Sequence, residues 1–123
     1  MPLRYLIDEC TIADELRLAI AHQAATANLQ IDVVWVGSAG APGYGTLDPD
    51  LITWAIANDR AIVSFDSNTL IGHYYDRLEQ LADMPPPLLI RNRHAGPGEI
   101  AEWLAIASQV YGNDVYGQVI FFP

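Results

Sequence analysis

The chain has 123 residues, 51% of them apolar, enough for one domain with a real core and too apolar for a disordered segment. Fifteen acids face six basic residues, all arginine, giving a formal charge of −9; this disfavours an extended phosphate-binding surface, since generic attraction for nucleic acid comes from clustered cations. Cys10 is the single cysteine, which excludes an intrachain disulfide and a cysteine-rich zinc site, and no apolar run reaches bilayer length or reads as a signal peptide.

The expectation is therefore one cytoplasmic domain over residues 1–123, with no membrane attachment and a surface suited to a basic partner. In chain order, MPLRYLIDEC opens with a short apolar run, Leu3, Tyr5, Leu6 and Ile7, that stops at Asp8-Glu9. That is the pattern of a buried strand whose carboxyl end opens into a cleft. Glu9 reads equally well as a first-turn acid of the next helix. Ile12, Leu16, Ile20 and Ala24 then recur every four residues, predicting an amphipathic helix over about 11–27 with Thr11 as its cap. Ile31 and Val33 to Val36 predict a second strand covered on both faces.

Gly37 to Thr46 (GSAGAPGYGT) is a long loop with four glycines. Its spacing fits no nucleotide motif, so a flexible wall or a plain surface connection is expected. A helix over 47–58 follows, with Asp48 placed to cap it and Pro49 suited to its first position. Ala61 to Phe65 form a third strand ending in Asp66, the signature of Asp8 repeated. Leu70, Ile71, Tyr74, Leu78 and Leu81 mark a helix, closed by three prolines. Leu88 to Ile90 predict a fourth strand, with Arg91 at its end in the main basic cluster. Ile100, Trp103, Leu104, Ala107 and Tyr111 predict a last helix, and Val115 to Phe122 a final strand.

Alternating strands and helices predict a three-layer α/β domain with a mainly parallel central sheet of about five strands. Strand-end acids in such a sheet converge on one edge, and a cleft forms outside the carboxyl ends of the strands. Asp8, Glu9, Asp66 and the helix start bearing Asp48 and Asp50 belong to that edge. Carboxylates gathered without cysteines or a histidine cluster suit hard divalent ions, Mg2+ or Mn2+. Such ions acidify water, align a phosphodiester and stabilise its leaving oxygen.

The opening LIDEC resembles the start of PIN-like domains related to VapC-type toxin ribonucleases, nearest to a short subgroup of unknown function. LDPDLITWAIANDRAIVSFDSN is similar to that subgroup's acid-started helix followed by a strand ending in Ser/Thr-x-Asp, and PLLIR continues the order. The resemblance implies a metal-dependent ribonuclease of the PIN-like fold, with RNA as substrate and a possible antitoxin protein as partner. It matches Asp8, Asp48 and Asp66 to the family's acids, which would hold the metal, and Ser64 to the small hydroxyl residue before the third acid. Glu9 belongs to the subgroup's paired opening, and Asp50 is an additional candidate. Where the family often carries a further Asp and then Phe, this chain has Asn68 and Thr69, so second-metal binding loses a charge. Arg91 is the candidate for a substrate phosphate, because a guanidinium matches phosphate geometry bidentately.

Two rivals belong beside this reading. A phosphorelay receiver shares the length, the strand count and the acidic pair, but needs a lysine near a late strand, and this chain has none. A catalytically degenerate PIN-like interaction module fits the acidic surface and Asn68. Self-association is a further expectation, from Trp54, Trp103 and several tyrosines.

Overall fold

The computed structural model describes residues 2–65, 69–80, 84–91 and 95–122. Five strands, β1 (Tyr5–Ile7), β2 (Val33–Trp35), β3 (Ala61–Ser64), β4 (Leu88–Arg91) and β5 (Val119–Phe122), form one sheet in the order β2-β1-β3-β4-β5. Every neighbouring pair is parallel. Four helices connect them: α1 (Ala13–Ala27), α2 (Asp48–Ala57), α3 (Leu70–Gln80) and α4 (Pro97–Val110). The expected three-layer α/β architecture is the observed one.

Both faces of the central strands are dry because alternate side chains point to opposite sides. Tyr5, Ile7, Val63 and Leu89 pack with Leu16 and Ile20 of α1 and Ile100 and Leu104 of α4. Leu6, Ile62, Leu88 and Ile90 pack with Leu51, Ile52 and Ala55 of α2 and Leu70 and Tyr74 of α3. The chain moves from β1 outward to β2, then crosses back past β1 to β3. With crossovers of one hand, that reversal puts α1 and α2 on opposite faces and leaves a crevice at the carboxyl ends of β1 and β3.

Two tyrosines bury their rings one on each face and satisfy their hydroxyls on backbone carbonyls. Tyr5 donates to Leu104 O at 2.7 Å and Tyr74 to Pro86 O at 2.8 Å. Burial raises both phenols above their ordinary pKa.

Several local expectations are corrected. β2 is an edge strand: Val33 and Trp35 pack on one helical layer and Val34 on the other, as expected of a strand covered on both faces, but all three stay half-buried. Helix α1 starts at Ala13 with Ile12 in the cap position and no side-chain cap bond, so Thr11 does not cap it and Glu9 is not in its first turn. Leu47, not Asp48, holds the cap position of α2, leaving Asp48 and Pro49 as its first two residues. The final strand is shorter than 115–122: Asn113–Val115 form a 3-10 turn, and Gly117 at φ +81° re-aims the chain before β5. Trp103 stacks on Phe122 with centroids 4.7 Å apart and also meets Tyr111. Its ring is held within the fold but stays half-buried, lining an open pocket with Glu99, Glu102 and the exposed Ile106.

Candidate functional site

Register fixes the layout of the carboxyl edge. Ile7 pairs with Trp35 on one side and Val63 on the other, and Ser64 pairs with Ile90. Asp8 therefore follows directly on the central strand, between the ends of β2 and β3, and its N–H donates to Val63 O at 3.0 Å. The Asp8 carboxylate is half-buried and accepts the N–H of Glu9 on Oδ1 at 2.8 Å. Ser64, the last residue of β3, is wholly buried. Asp66 and Asn68, the other strand-end candidates, lie outside the described residues.

Asp48 reaches the same edge from the opposite direction. The loop from β2 delivers it to the start of α2, where its Oδ2 accepts the Thr69 hydroxyl at 2.5 Å. Thr69 immediately precedes α3, so one hydrogen bond joins the beginnings of two helices. Asp48 is half-buried, whereas Asp50 is exposed on the first turn of α2. Beside the Asp48–Thr69 pair lies an open cleft of about 430 Å³ lined by Thr46, Leu47, Asp48, Pro49, Thr69 and His73.

Glu9 serves the glycine loop. Its Oε1 accepts the Gly45 N–H at 2.8 Å, across 36 residues of sequence. The loop is further closed by Gly37 N–H to Pro42 O at 2.8 Å and the Thr46 hydroxyl to Gly43 O at 2.6 Å. Gly37 sits at φ +93°, and a Cβ there would overlap the Tyr44 ring. The backbone angle is what favours glycine there, since the exposed Tyr44 ring could swing aside from a Cβ.

Two arginines complete the edge. Arg17 of α1 lies over the Trp35 ring at 4.4 Å, and Arg91 at the end of β4 lies 5.1 Å from the Phe65 ring. Arg91 also gives one N–H to Ala95 O at 3.4 Å. Between them, partial burial raises the Cys10 thiol above its ordinary pKa, opposed by an Ile12 backbone hydrogen bond and by both guanidiniums. Cys10 is accordingly a weak nucleophile at neutral pH.

The donor chemistry of this edge, carboxylate oxygens from Asp8 and Asp48, fits a hard divalent cation. Among the described residues, no three His, Cys, Asp or Glu side chains gather closely enough to hold one. A third ligand would have to come from beyond them, where Asp66 stands in the sequence. Sequence reasoning missed His73 and Arg17. His73 follows Thr69 by one helical turn, a spacing that could have flagged it. The Arg17–Trp35 contact joins a helix to a strand and has no local signal.

The chain matches no family model, no curated protein and no solved structure. Its resemblance to PIN-like domains rests on the short motifs at 6–10 and 47–68, continued at 87–91. At the level of fold, the protein is a parallel five-stranded α/β sheet compatible with a PIN-like topology.

Proposed function

We propose that the protein is a divalent-metal-dependent ribonuclease hydrolysing RNA phosphodiester bonds, with Asp8, Asp48 and Asp66 as ligands of Mg2+ or Mn2+. The observation that supports this reading is that Asp8 directly follows β1 and Asp48 begins the helix reached from the end of β2, so both stand on the carboxyl side of the sheet. Ligands bind at the switch point of such a sheet because the connecting helices turn away to opposite faces and leave a crevice. When bound, the cation would neutralise charge on the phosphate and lower the pKa of water. The chain's own contribution is positional. Thr69 fixes one oxygen of Asp48, the β3 carbonyl of Val63 fixes the backbone of Asp8, and Arg91 approaches a substrate phosphate. Ser64 would support the ligands from the end of β3, and Asp50, exposed on the first turn of α2, adds negative charge nearby. The motif resemblance extends the proposal to a toxin held by an antitoxin, and a basic antitoxin segment suits a chain of charge −9.

A degenerate interaction module is the second reading, favoured by Asn68 standing where the resemblance expects an acid. The test uses wild type, Asp8→Asn, Asp66→Asn and Asn68→Asp on a pool of structured and single-stranded RNAs, with Mn2+ or EDTA, alongside calorimetric Mn2+ titration. On the nuclease reading, both Asp→Asn variants lose Mn2+ binding and cleavage together, by at least about a hundredfold in rate, while Asn68→Asp tightens Mn2+ binding. Equal cleavage by wild type and Asp66→Asn would refute the site. Absence of Mn2+ binding and cleavage in all four proteins would refute the nuclease and favour the interaction module.

A further inference from the structure

We propose that Arg17 and Arg91, each laid against an aromatic ring, form a two-point grip for backbone phosphates of a single-stranded RNA that passes over Asp8. The identity of the polymer rests on the ribonuclease reading; the grip itself rests on geometry. Register puts Trp35 level with Ile7 on one side of β1, and Arg17 lies over that ring at 4.4 Å. On the other side, Phe65 directly follows β3, and Arg91 at the end of neighbouring β4 lies 5.1 Å from its ring. Asp8 is between the two pairs. The strands that carry the two rings, β2 and β3, are two strand spacings apart, roughly 10 Å, and the grip assigns the two guanidiniums to two different phosphates of one strand.

Stacking matters because it restrains a long, flexible side chain while leaving the in-plane N–H groups directed outward, the geometry that pairs with phosphate oxygens. The distribution of charge makes the pair distinctive in so acidic a chain. Arg60 is bound to Asp32, and Arg4 to the Asn58 carbonyl, both at the opposite end of the sheet. Arg77 lines a separate groove on α3 beside Asp76. Among the described residues, Arg17 and Arg91 are the arginines at the carboxyl edge, on either side of the acid that leads the candidate site.

The experiment measures anisotropy of a fluorescein-labelled, unstructured 12-nucleotide RNA in EDTA across a KCl series, with wild type, Arg17→Gln, Arg91→Gln, the double variant and Arg77→Gln. Each single edge variant is expected to weaken binding about tenfold and to reduce the slope of log K against log salt by about 0.7, the double variant by about 1.4. Arg77→Gln stays within about twofold of wild type. Wild-type protein that does not bind, Arg17→Gln binding like wild type, or an equal loss in Arg77→Gln would each overturn the grip. A mononucleotide held as tightly as the 12-mer, with the same dependence on both arginines, would overturn the two-phosphate form. Mn2+-dependent cleavage measured on the same proteins and on Asp8→Asn separates the two proposals. Arginine-dependent binding without cleavage leaves the grip standing and removes the nuclease. Cleavage that is lost in Asp8→Asn but untouched in Arg17→Gln does the reverse.

Discussion

The two ends of the sheet use the same residue types for opposite purposes. At the amino end, charges close on partners across the strands. Arg60, with 12% of its side chain exposed, binds Asp32 Oδ1 at 2.8 Å and the Tyr5 carbonyl at 3.1 Å. Arg4 reaches the Asn58 carbonyl, and the Tyr116 hydroxyl donates to Asp59 at 2.7 Å. At the carboxyl end, among the described residues, Arg17 and Arg91 rest on aromatic rings, Asp8 accepts from its own neighbour, and Asp48 accepts from a hydroxyl. At the amino end charge pairs lock strands to one another, whereas at the carboxyl end Arg17 and Arg91 are positioned by aromatic rings.

Removing one charge at each end should expose the difference most strongly. Arg60→Ala strips a mostly buried guanidinium from two acceptors that bridge β1 and the start of β2, at a cost of about 2 kcal/mol. Arg17→Gln, at the other end, should move stability by less than about 0.5 kcal/mol, because a surface stack is all it loses. Urea unfolding of both variants checks this. Equal destabilisation would mean that the carboxyl edge is as structural as the amino edge.

That contrast also marks what was legible in the sequence. Leu16 and Ile20, spaced by four, are the buried residues of α1, and the apolar runs at Tyr5–Ile7 and Ala61–Ser64 are the central strands. Periodicity is read locally, and the core obeys it. Asp8 was legible for the same reason, as the acid at which a buried run stops. The contacts that shape the site are not local. Thr69 holds Asp48 from 21 residues away, and Glu9 holds Gly45 from 36. Capping, the sequence-level account of Asp48, failed because the entering loop puts Leu47 in the cap position and turns the carboxylate toward α3. The strand-end signature at Asp66 lies outside the described residues.

Alkaline pH offers a second, smaller break. Tyr5 and Tyr74 are raised by burial, and Tyr116 is pushed up to about 12 by burial and by its hydrogen bond to Asp59. Their unfolded values lie near 10. Above about pH 10 the unfolded chain releases phenolic protons that the folded chain keeps, so stability is full below pH 10 and falls as pH rises toward 12 and beyond. For Tyr5 the slope is about 1.4 kcal/mol per pH unit once the unfolded phenol is ionised. Tyr5→Phe should flatten the fall at pH 11 while lowering stability at pH 7 by about 1 kcal/mol, since the Leu104 carbonyl loses its donor. Tyr116→Phe should flatten it less, because that hydroxyl is at the wetter amino edge. Stability that stays level from pH 9 to 12 would contradict the assignment.

The smallest effect concerns Glu9, where the two kinds of end meet in one residue. It is at the functional edge, yet its carboxylate is engaged as an anchor, accepting the Gly45 N–H at 2.8 Å. A glutamine can accept the same bond through its carbonyl oxygen, whereas an alanine cannot. Glu9→Gln should therefore leave stability within about 0.5 kcal/mol of wild type and Glu9→Ala should cost about 0.5–1 kcal/mol, because the bond is solvent-exposed and competes with water. Amide exchange of Gly45 is the local readout, faster in Glu9→Ala and close to wild type in Glu9→Gln. Mn2+ affinity separates anchoring from electrostatics. If Glu9 only ties the glycine loop to the end of β1, Glu9→Gln binds Mn2+ as wild type does; a several-fold loss in that variant, with Gly45 exchange unchanged, would show that its charge belongs to the site and not to the scaffold.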